Sequence, residues 1–176
     1  IMRGVPTKPI AQRLVETLTL AVPQTIVLDD MDMKVSKDFQ RKLAQLSKLG
    51  ATIIEIPFAV LSDIPKANAN GGYAAIEAFV ALRDLLEKEE NSFDPRVAAR
   101  IKRGAEMSAY DYIELMNSRR SICERANEIT NNFDAVLMPT VPVVAPPLLE
   151  LIKSDVRYHE INLLMLRNCS FGNFLD

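Results

Sequence analysis

The segment at residues 132–147 constrains the fold most, because a short apolar run leads directly into four prolines. Residues 135–138 are nearly all apolar, which predicts a strand buried on both faces of a sheet. Pro139 has no N–H to donate to a central ladder, so the strand must end there. The sequence therefore predicts a stiff loop at the carboxyl edge of an α/β sheet, where ligands bind. An ordinary surface connection after the strand is the alternative that these residues leave open.

Upstream of this segment, the sequence predicts a strand, a helix and a second strand. Residues 18–28 indicate a strand in which Pro23 places a break or a sheet edge. Residues 51–57 are rich in β-branched side chains and end in proline, which predicts the second strand. The helix between them has aspartates for a turn and N-cap, an apolar face and a glycine stop: Asp29, Asp30, Asp32, Val35, Phe39, Leu43, Leu46, Leu49 and Gly50. This order predicts a βαβ unit, right-handed if its strands are parallel and share a sheet.

A helical insertion is predicted between the second and third strands. Its first helix covers residues 73–88 and follows a turn that contains two glycines. Asp94 as N-cap and Pro95 at the first helical position open a second helix, which Gly104 closes. Ser108 caps a third, longer helix. The insertion and the strands around it predict the α/β fold class.

After the proline run, the chain alternates between apolar and polar segments. Residues 148–153 predict one helical turn, residues 155–160 a polar link, and residues 161–166 another apolar segment. We find no internal repeat and no low-complexity segment in the sequence.

The composition predicts an ordinary soluble domain. With 176 residues, a hydrophobic fraction of 48% and a charged fraction of 25%, the chain is long enough for one well-packed core. A net charge of −2 favours neither nucleic acid nor an anionic membrane as a partner. Two cysteines form no disulfide framework, no apolar run reaches the roughly 20 residues of a membrane span, and the first residues lack signal-peptide features. These properties predict a cytoplasmic location.

The residues with reactive side chains predict no catalytic machinery, metal site or cofactor. The one histidine, His159, lies in a charged segment without a metal-ligand cluster around it. Cys123 falls within a predicted helix, and no base is identified for it, so a buried structural thiol is the simpler interpretation. A separate catalyst that uses Cys123 is kept as an alternative. The sequence contains no Gly-x-Ser-x-Gly elbow and no phosphate-binding glycine loop.

A basic cluster on the second helix of the insertion has one feature of interest. Arg96, Arg100 and Arg103 share a helix face and could point at one anion or carboxylate. A solvated face, or pairing with local acids such as Glu106, is the alternative.

Short motifs follow one another in a fixed order along almost the whole chain. The first two are Ala-Val-Pro-Gln-Thr at 21–25 and Gly-Gly-Tyr-Ala-Ala-Ile-Glu-Ala at 71–78. The third, at 94–112, begins with Asp-Pro-Arg-Val, continues with Arg-Ile and a glycine, and ends with Ser-Ala-Tyr-Asp-Tyr. The last two are Phe-Asp-Ala-Val-Leu-Met-Pro-Thr with further prolines at 133–146, and Leu-Arg-Asn-Cys-Ser with a later asparagine at 166–173. In this order and spacing they resemble the carboxyl-terminal half of the amidase signature family, from about residue 18 to the end.

The resemblance implies part of the mixed-sheet, three-layer α/β/α fold of that family and amide hydrolysis by a Ser-Ser-Lys triad. No residue of this chain matches the triad, and Cys169 stands where threonine is common. We therefore expect residues 1–176 to be a partial single domain, with residues 1–17 as a linker or lead-in, and the chain alone to be inactive. Its start at Ile1 rather than methionine favours a piece of a longer protein.

The resemblance also implies that this chain supplies the substrate-side wall of the enzyme. Thr140, Arg100, Arg167 and Asn173 are the substrate-pocket candidates. The expected partners are a small-molecule amide and the remainder of the amidase chain, without nucleic acid or membrane; a homo-oligomer and acyl transfer to another acceptor are left open. A non-enzymatic binding or assembly domain on the same scaffold is the alternative function.

Overall fold

The computed structural model describes residues 12–175, and these contain a small parallel sheet among helices. The strands are β1 (Thr19–Pro23), β2 (Thr52–Ile56) and β3 (Ala135–Val136), in the order β2-β1-β3. Both pairings are parallel, whereas the resemblance implies a mixed sheet for the whole family fold. Of the expected lead-in at 1–17, residues 1–11 lie outside the described residues, and Val15–Thr17 form a 3-10 turn before β1.

The predicted βαβ unit is confirmed in its strands, its helix and its parallel pairing. Helix α1 (Met33–Lys48) connects the two strands, and Ala21 of β1 is paired with Ile54 of β2. Beyond Pro23, however, the predicted strand at 18–28 is wrong. The chain turns there, because Ile26 and Asp30 adopt positive φ angles of 60° and 51°.

The helix stop at Gly50 has a clear steric reason. Gly50 has a φ of +97°, in the region that favours glycine. A Cβ atom there would lie 2.7 Å from the Cβ of Glu16, so the helix end and the lead-in to β1 approach too closely for any side chain. The prediction that Gly50 ends this helix is confirmed.

The helical insertion between β2 and β3 is also confirmed. The Asp94 carboxylate accepts a hydrogen bond from the backbone N–H of Arg96 at 2.8 Å, so Asp94 is the expected N-cap. Ser108 and Asp111 form a reciprocal capping box at the start of the longest helix. The helices of the insertion are α2 (Ile64–Ala67), α3 (Gly72–Glu89), α4 (Pro95–Lys102) and α5 (Ala109–Thr130).

Strand β3 is shorter and more exposed than the apolar run predicts. Only Ala135 and Val136 pair with β1, and Ala135 is exposed, so a strand buried on both faces at 135–138 is wrong for the described residues. No other strand among residues 12–175 pairs with the far side of β3. The Asp134 carboxylate accepts a hydrogen bond from the N–H of Thr19 at 2.8 Å and thereby fixes β3 beside the start of β1.

The carboxyl-terminal part is helical throughout. The predicted turn at 148–153 is helix α6 (Leu148–Lys153), but the polar link predicted at 155–160 is wrong, because α7 (Asp155–Leu175) runs through it. The segment has polar side chains but no glycine or proline to break a helix, and the Ser154 hydroxyl accepts a hydrogen bond from the N–H of Arg157 at 3.2 Å. Its polar side chains are accounted for by exposed turns of a helix, so a loop is not needed to explain them.

Two clusters of buried side chains hold these elements together. The sheet-side core joins β1, β2 and the turn after β1 to α2, α5 and α7; its members include Ala21, Val27, Ile56, Phe58, Leu61, Ile64, Leu115, Ile122, Phe171 and Phe174. The α3–α4 cluster is smaller and consists of Leu86, Ala98 and Ile101 with partly buried neighbours. The α/β class predicted from the sequence is confirmed.

Candidate functional site

A cavity of about 290 Å³ opens at the carboxyl ends of β1 and β3, where parallel sheets commonly bind ligands. Pro23 closes it on the β1 side, and Met138 follows β3. Ala126 on α5 and Phe171 on α7 belong to the facing walls. The sheet edge and two helices thus enclose one apolar space.

Most polar side chains of this cavity already donate hydrogen bonds to backbone carbonyls. The Thr130 hydroxyl donates to the carbonyl of Ala126 at 2.9 Å. The Cys123 thiol lies 3.7 Å from the carbonyl oxygen of Phe174 and donates toward the end of α7. Asn127 contributes an exposed amide, and no charged residue belongs to the lining among the described residues. The cavity is therefore suited to apolar groups.

A second cavity, of about 340 Å³, shares Cys123 and Asn127 with the first and is more polar. Its lining includes Tyr73, Arg120 and Glu124. Burial raises the pKa of Tyr73, and nearby Arg119 opposes that shift to a smaller extent. The Cys123 thiol donates to carbonyl oxygens, and His159 is exposed on α7. Within residues 12–175, this cavity therefore contains no histidine that could act as a base for Cys123.

Asn168 connects α7 to the sheet from a fully buried position. Its side-chain amide donates to the carbonyl of Val27 at 2.9 Å and to the carbonyl of Pro139 at 2.8 Å. Its oxygen accepts from Nε of Arg167 at 3.1 Å. Each of these bonds satisfies a group that would be costly to bury without a partner. Asn168 therefore fixes the start of the proline run against the turn that follows β1.

The proline run is held by further bonds from distant parts of the chain. The thiol of Cys169 lies 3.3 Å from the carbonyl oxygen of Thr140. The backbone N–H of Asp32 donates to the carbonyl of Pro142 at 2.9 Å, and the Asp32 carboxylate accepts from the N–H of Val144 at 2.7 Å. Asp32 is the N-cap residue of α1, as the sequence predicts, but its side chain makes no cap bond to that helix. A loop with few donors of its own thus gains a fixed shape.

Arg167 lies against the turn after β1. One guanidinium nitrogen donates to the carbonyl of Asp29 at 2.7 Å, and another lies 3.9 Å from the Asp30 carboxylate. Its side chain is only 13% exposed, and burial lowers the pKa of Arg167 although Asp29 and Asp30 act in the opposite direction. Arginine stays charged under ordinary conditions, so the contact holds α7 against the turn after β1 by charge-assisted bonds.

The structure does not bring the four substrate-pocket candidates into one place. Thr140 is exposed on the anchored loop, Asn173 is exposed on α7 beside the cavity-lining Gly172, and Arg100 is exposed on α4. Arg167 makes the contacts just described. None of the four belongs to the lining of either cavity, and their role in substrate binding stays a prediction.

The arginines on α4 also contact different partners. Arg96 donates to the Asp155 carboxylate at 2.7 Å and lies 4.4 Å from the centre of the Tyr158 ring. Arg103 donates to the carbonyl of Ala69 at 3.4 Å. These contacts link α4 to neighbouring elements and do not form a shared anion site.

The cavity residues on α5 were missed by sequence reasoning, although they carry a signal. Cys123, Asn127 and Thr130 recur at helical spacing and therefore share one face of the predicted helix. Small or polar residues on one such face, next to a buried sheet edge, are typical of a cavity wall. Within residues 12–175, no helix is long and apolar enough to cross a membrane, and no group of three or more His, Cys, Asp or Glu could hold a metal ion.

Comparison with known proteins gives consistent matches. A model of the family described as Amidase matches residues 5–171. One subunit of the glutamyl-tRNA(Gln) amidotransferase of Thermotoga maritima is 29% identical over 173 residues, which covers 86% of this chain and 36% of that protein. The 2-amino-5-chloromuconic acid deaminase of Comamonas testosteroni is 25% identical over 163 residues, which covers 90% of this chain and 34% of that protein.

Solved structures agree with the family match. The allophanate hydrolase of Kluyveromyces lactis superposes with a TM-score of 0.80 at 26% identity, covering 99% of this chain and 28% of that one. The chain spans about a third of the length of the two curated relatives. The family match over residues 5–171 confirms the resemblance read from the motifs, and the chain belongs to the amidase family.

Proposed function

We propose that this chain forms the substrate-side part of a hydrolase that cleaves carboxamide C–N bonds. The observation that carries the proposal is the apolar cavity at the carboxyl ends of β1 and β3, enclosed by α5 and α7. Such a position is where α/β folds bind ligands, and a cavity of this kind orients a substrate. The family supports amide hydrolysis as the chemistry.

The proposed division of labour places the nucleophile elsewhere in the protein. The Ser-Ser-Lys triad that the resemblance implies lies outside this chain, which is then a partial domain of a longer enzyme. The serine oxygen bonds to the amide carbon, the C–N bond breaks as the amine or ammonia leaves with a proton, and water releases the acid. Backbone N–H groups stabilise the oxyanion in this scheme. This chain positions the substrate and excludes water from it.

The four predicted pocket residues enter this proposal with different roles. Thr140 offers a hydroxyl on a loop of fixed shape, and Asn173 offers an amide next to Gly172. Arg100 offers an exposed cation, and Arg167 positions α7 rather than touching the substrate itself. The partners are a small-molecule amide and the remainder of the enzyme, with self-association left to be measured. The cytoplasmic location stays a prediction.

The test compares the longer protein with the chain alone. We expect the longer protein to release ammonia or amine from small aryl and aliphatic amides, and the isolated 176 residues to release none. Turnover by the isolated chain would contradict the placement of the nucleophile. A folded longer protein that hydrolyses no amide would instead favour a non-enzymatic binding or assembly domain.

A further inference from the structure

We infer that the cavity between the sheet edge and helices α5 and α7 is an acyl-binding pocket that selects amides of neutral, apolar carboxylic acids. This inference rests on the proposed function and adds the class of substrate to it. The cavity measures about 290 Å³, which is roughly twice the 150 Å³ void that takes up benzene in another protein. One aromatic ring or a six-carbon chain therefore fits.

The lining decides which acyl groups are accepted. Phe58, Leu61, Val136, Met138 and Phe171 present apolar surface to the cavity. No lysine, arginine, aspartate or glutamate belongs to this lining within the described residues. A carboxylate placed there would lose its hydration without gaining a cation, whereas an alkyl chain would leave water at no such cost.

The polar groups at the cavity do not change this preference. The Thr130 hydroxyl and the Cys123 thiol already donate to backbone carbonyls, so neither is a free donor for a charged substrate group. Asn127 is exposed, and its neutral amide suits the carboxamide end of a substrate. In this orientation the acyl chain of the substrate contacts the apolar lining, and its carboxamide lies toward the Asn127 side chain.

Gly172 gives direct control over the width of the pocket. It lies in α7 and lines the cavity, and a Cβ added there would meet only the Cε atom of Met138, at 3.7 Å. A larger side chain is thus compatible with the helix and extends into the cavity. Thr130→Leu narrows the opposite wall and serves as a second variant. Ser170→Leu introduces the same side chain at an exposed position of α7 outside the lining, and is the matched control.

The experiment measures kcat/KM of the longer protein for acetamide, hexanamide, 4-methylpentanamide and the succinamate anion. We expect hexanamide to exceed acetamide about 250-fold, because each of its four additional methylenes contributes about fourfold when buried. 4-Methylpentanamide and the succinamate anion have similar shapes. The kcat/KM for the charged succinamate should be at least about 100-fold lower. Gly172→Leu and Thr130→Leu should each lower the hexanamide-to-acetamide ratio at least about tenfold, while Ser170→Leu preserves it.

Calorimetric titration with hexanamide separates this inference from the proposed function. Binding that Gly172→Leu weakens and Ser170→Leu preserves, without turnover of any amide, would support the pocket and overturn the proposed hydrolysis. Turnover with a hexanamide-to-acetamide ratio that neither narrowing variant changes would keep the hydrolysis and overturn the pocket. Absence of hexanamide binding and turnover in the folded protein would also overturn the pocket, as would equal turnover of the charged and neutral substrates.

Discussion

The sheet-side core and the α3–α4 cluster are stabilised by different kinds of contact. In the sheet-side core, β1 and the turn after it pack against α5 and α7, which come much later in the chain, and the buried Asn168 connects them. The α3–α4 cluster joins helices that follow one another closely. The first region needs long-range pairing before it gains stability, whereas the second can form from local contacts. The candidate pocket belongs to the first region, where its walls come from distant segments.

The largest effect is expected at the polar centre of the sheet-side core. Asn168→Ala removes the side-chain donor of the buried Pro139 carbonyl and the shorter of two bonds to the Val27 carbonyl, which Arg167 also reaches at 3.4 Å; it also opens a void beside α7. We expect a loss of about 3 kcal/mol in the free energy of unfolding. Chemical denaturation of the purified protein measures it. Peptide-level hydrogen exchange should show faster exchange at the proline run and α7.

Asn162 offers a control within the same helix. Its side-chain nitrogen is buried and has no hydrogen-bond partner among the described residues. Asn162→Ala therefore removes no such bond, and we expect it to cost less than about 1 kcal/mol. Equal losses for the two variants would contradict the special role given to Asn168.

The next effect compares one helical glycine from each region. At Gly104, beside the α3–α4 cluster, an added Cβ would lie 2.7 Å from the Cβ of Phe79 and closer still to the backbone of Ala75. Gly104→Ala should cost about 2 kcal/mol and speed exchange in α3 and α4. Gly172→Ala has room, and should stabilise the protein by about 0.5 to 1 kcal/mol through helix propensity. Thermal denaturation gives the signs, and a destabilised Gly172→Ala would contradict the open wall at the cavity.

This contrast also explains how much of the molecule could be predicted from the sequence. The caps at Asp94 and Ser108 were predictable because each bond lies within three residues of its cap. The bond from Asp32 to Val144 was not, because it depends on which distant backbone group meets that carboxylate. The length and burial of the strand at 135–138 were overestimated, because an apolar sequence does not show how many strands lie beside it.

The pocket shows the same division between local and long-range information. The helical spacing of Cys123, Asn127 and Thr130 is a local signal that could have placed these residues on one face, but the partner wall on α7 required the tertiary fold. Among the predicted pocket residues, Arg167 was recognised from its motif, while its contacts with Asp29 and Asp30 follow from the turn after β1. Motifs thus located important positions before their physical role was known.

A smaller loss than those at Asn168 and Gly104 is expected at the start of α5. The Ser108 hydroxyl accepts from the N–H of Asp111 at 3.1 Å, and the Asp111 carboxylate accepts in return from the N–H of Ser108 at 2.9 Å. Ser108→Ala removes one half of this capping box. We expect a loss of about 1 kcal/mol in the free energy of unfolding at neutral pH, measured by chemical denaturation.

Acid titration tests the electrostatic half of the same capping box. The Ser108 hydroxyl and backbone N–H, with a smaller contribution from Asn70, hold the pKa of Asp111 below its ordinary value of 3.8. A pKa that is lower in the folded state gives stability that is present above pH 3.8 and is lost as the pH falls through the folded value. In Ser108→Ala the folded pKa of Asp111 moves back toward 3.8, so the stability should depend less on pH in this range. An unchanged pH dependence in Ser108→Ala would show that the cap acts through shape alone.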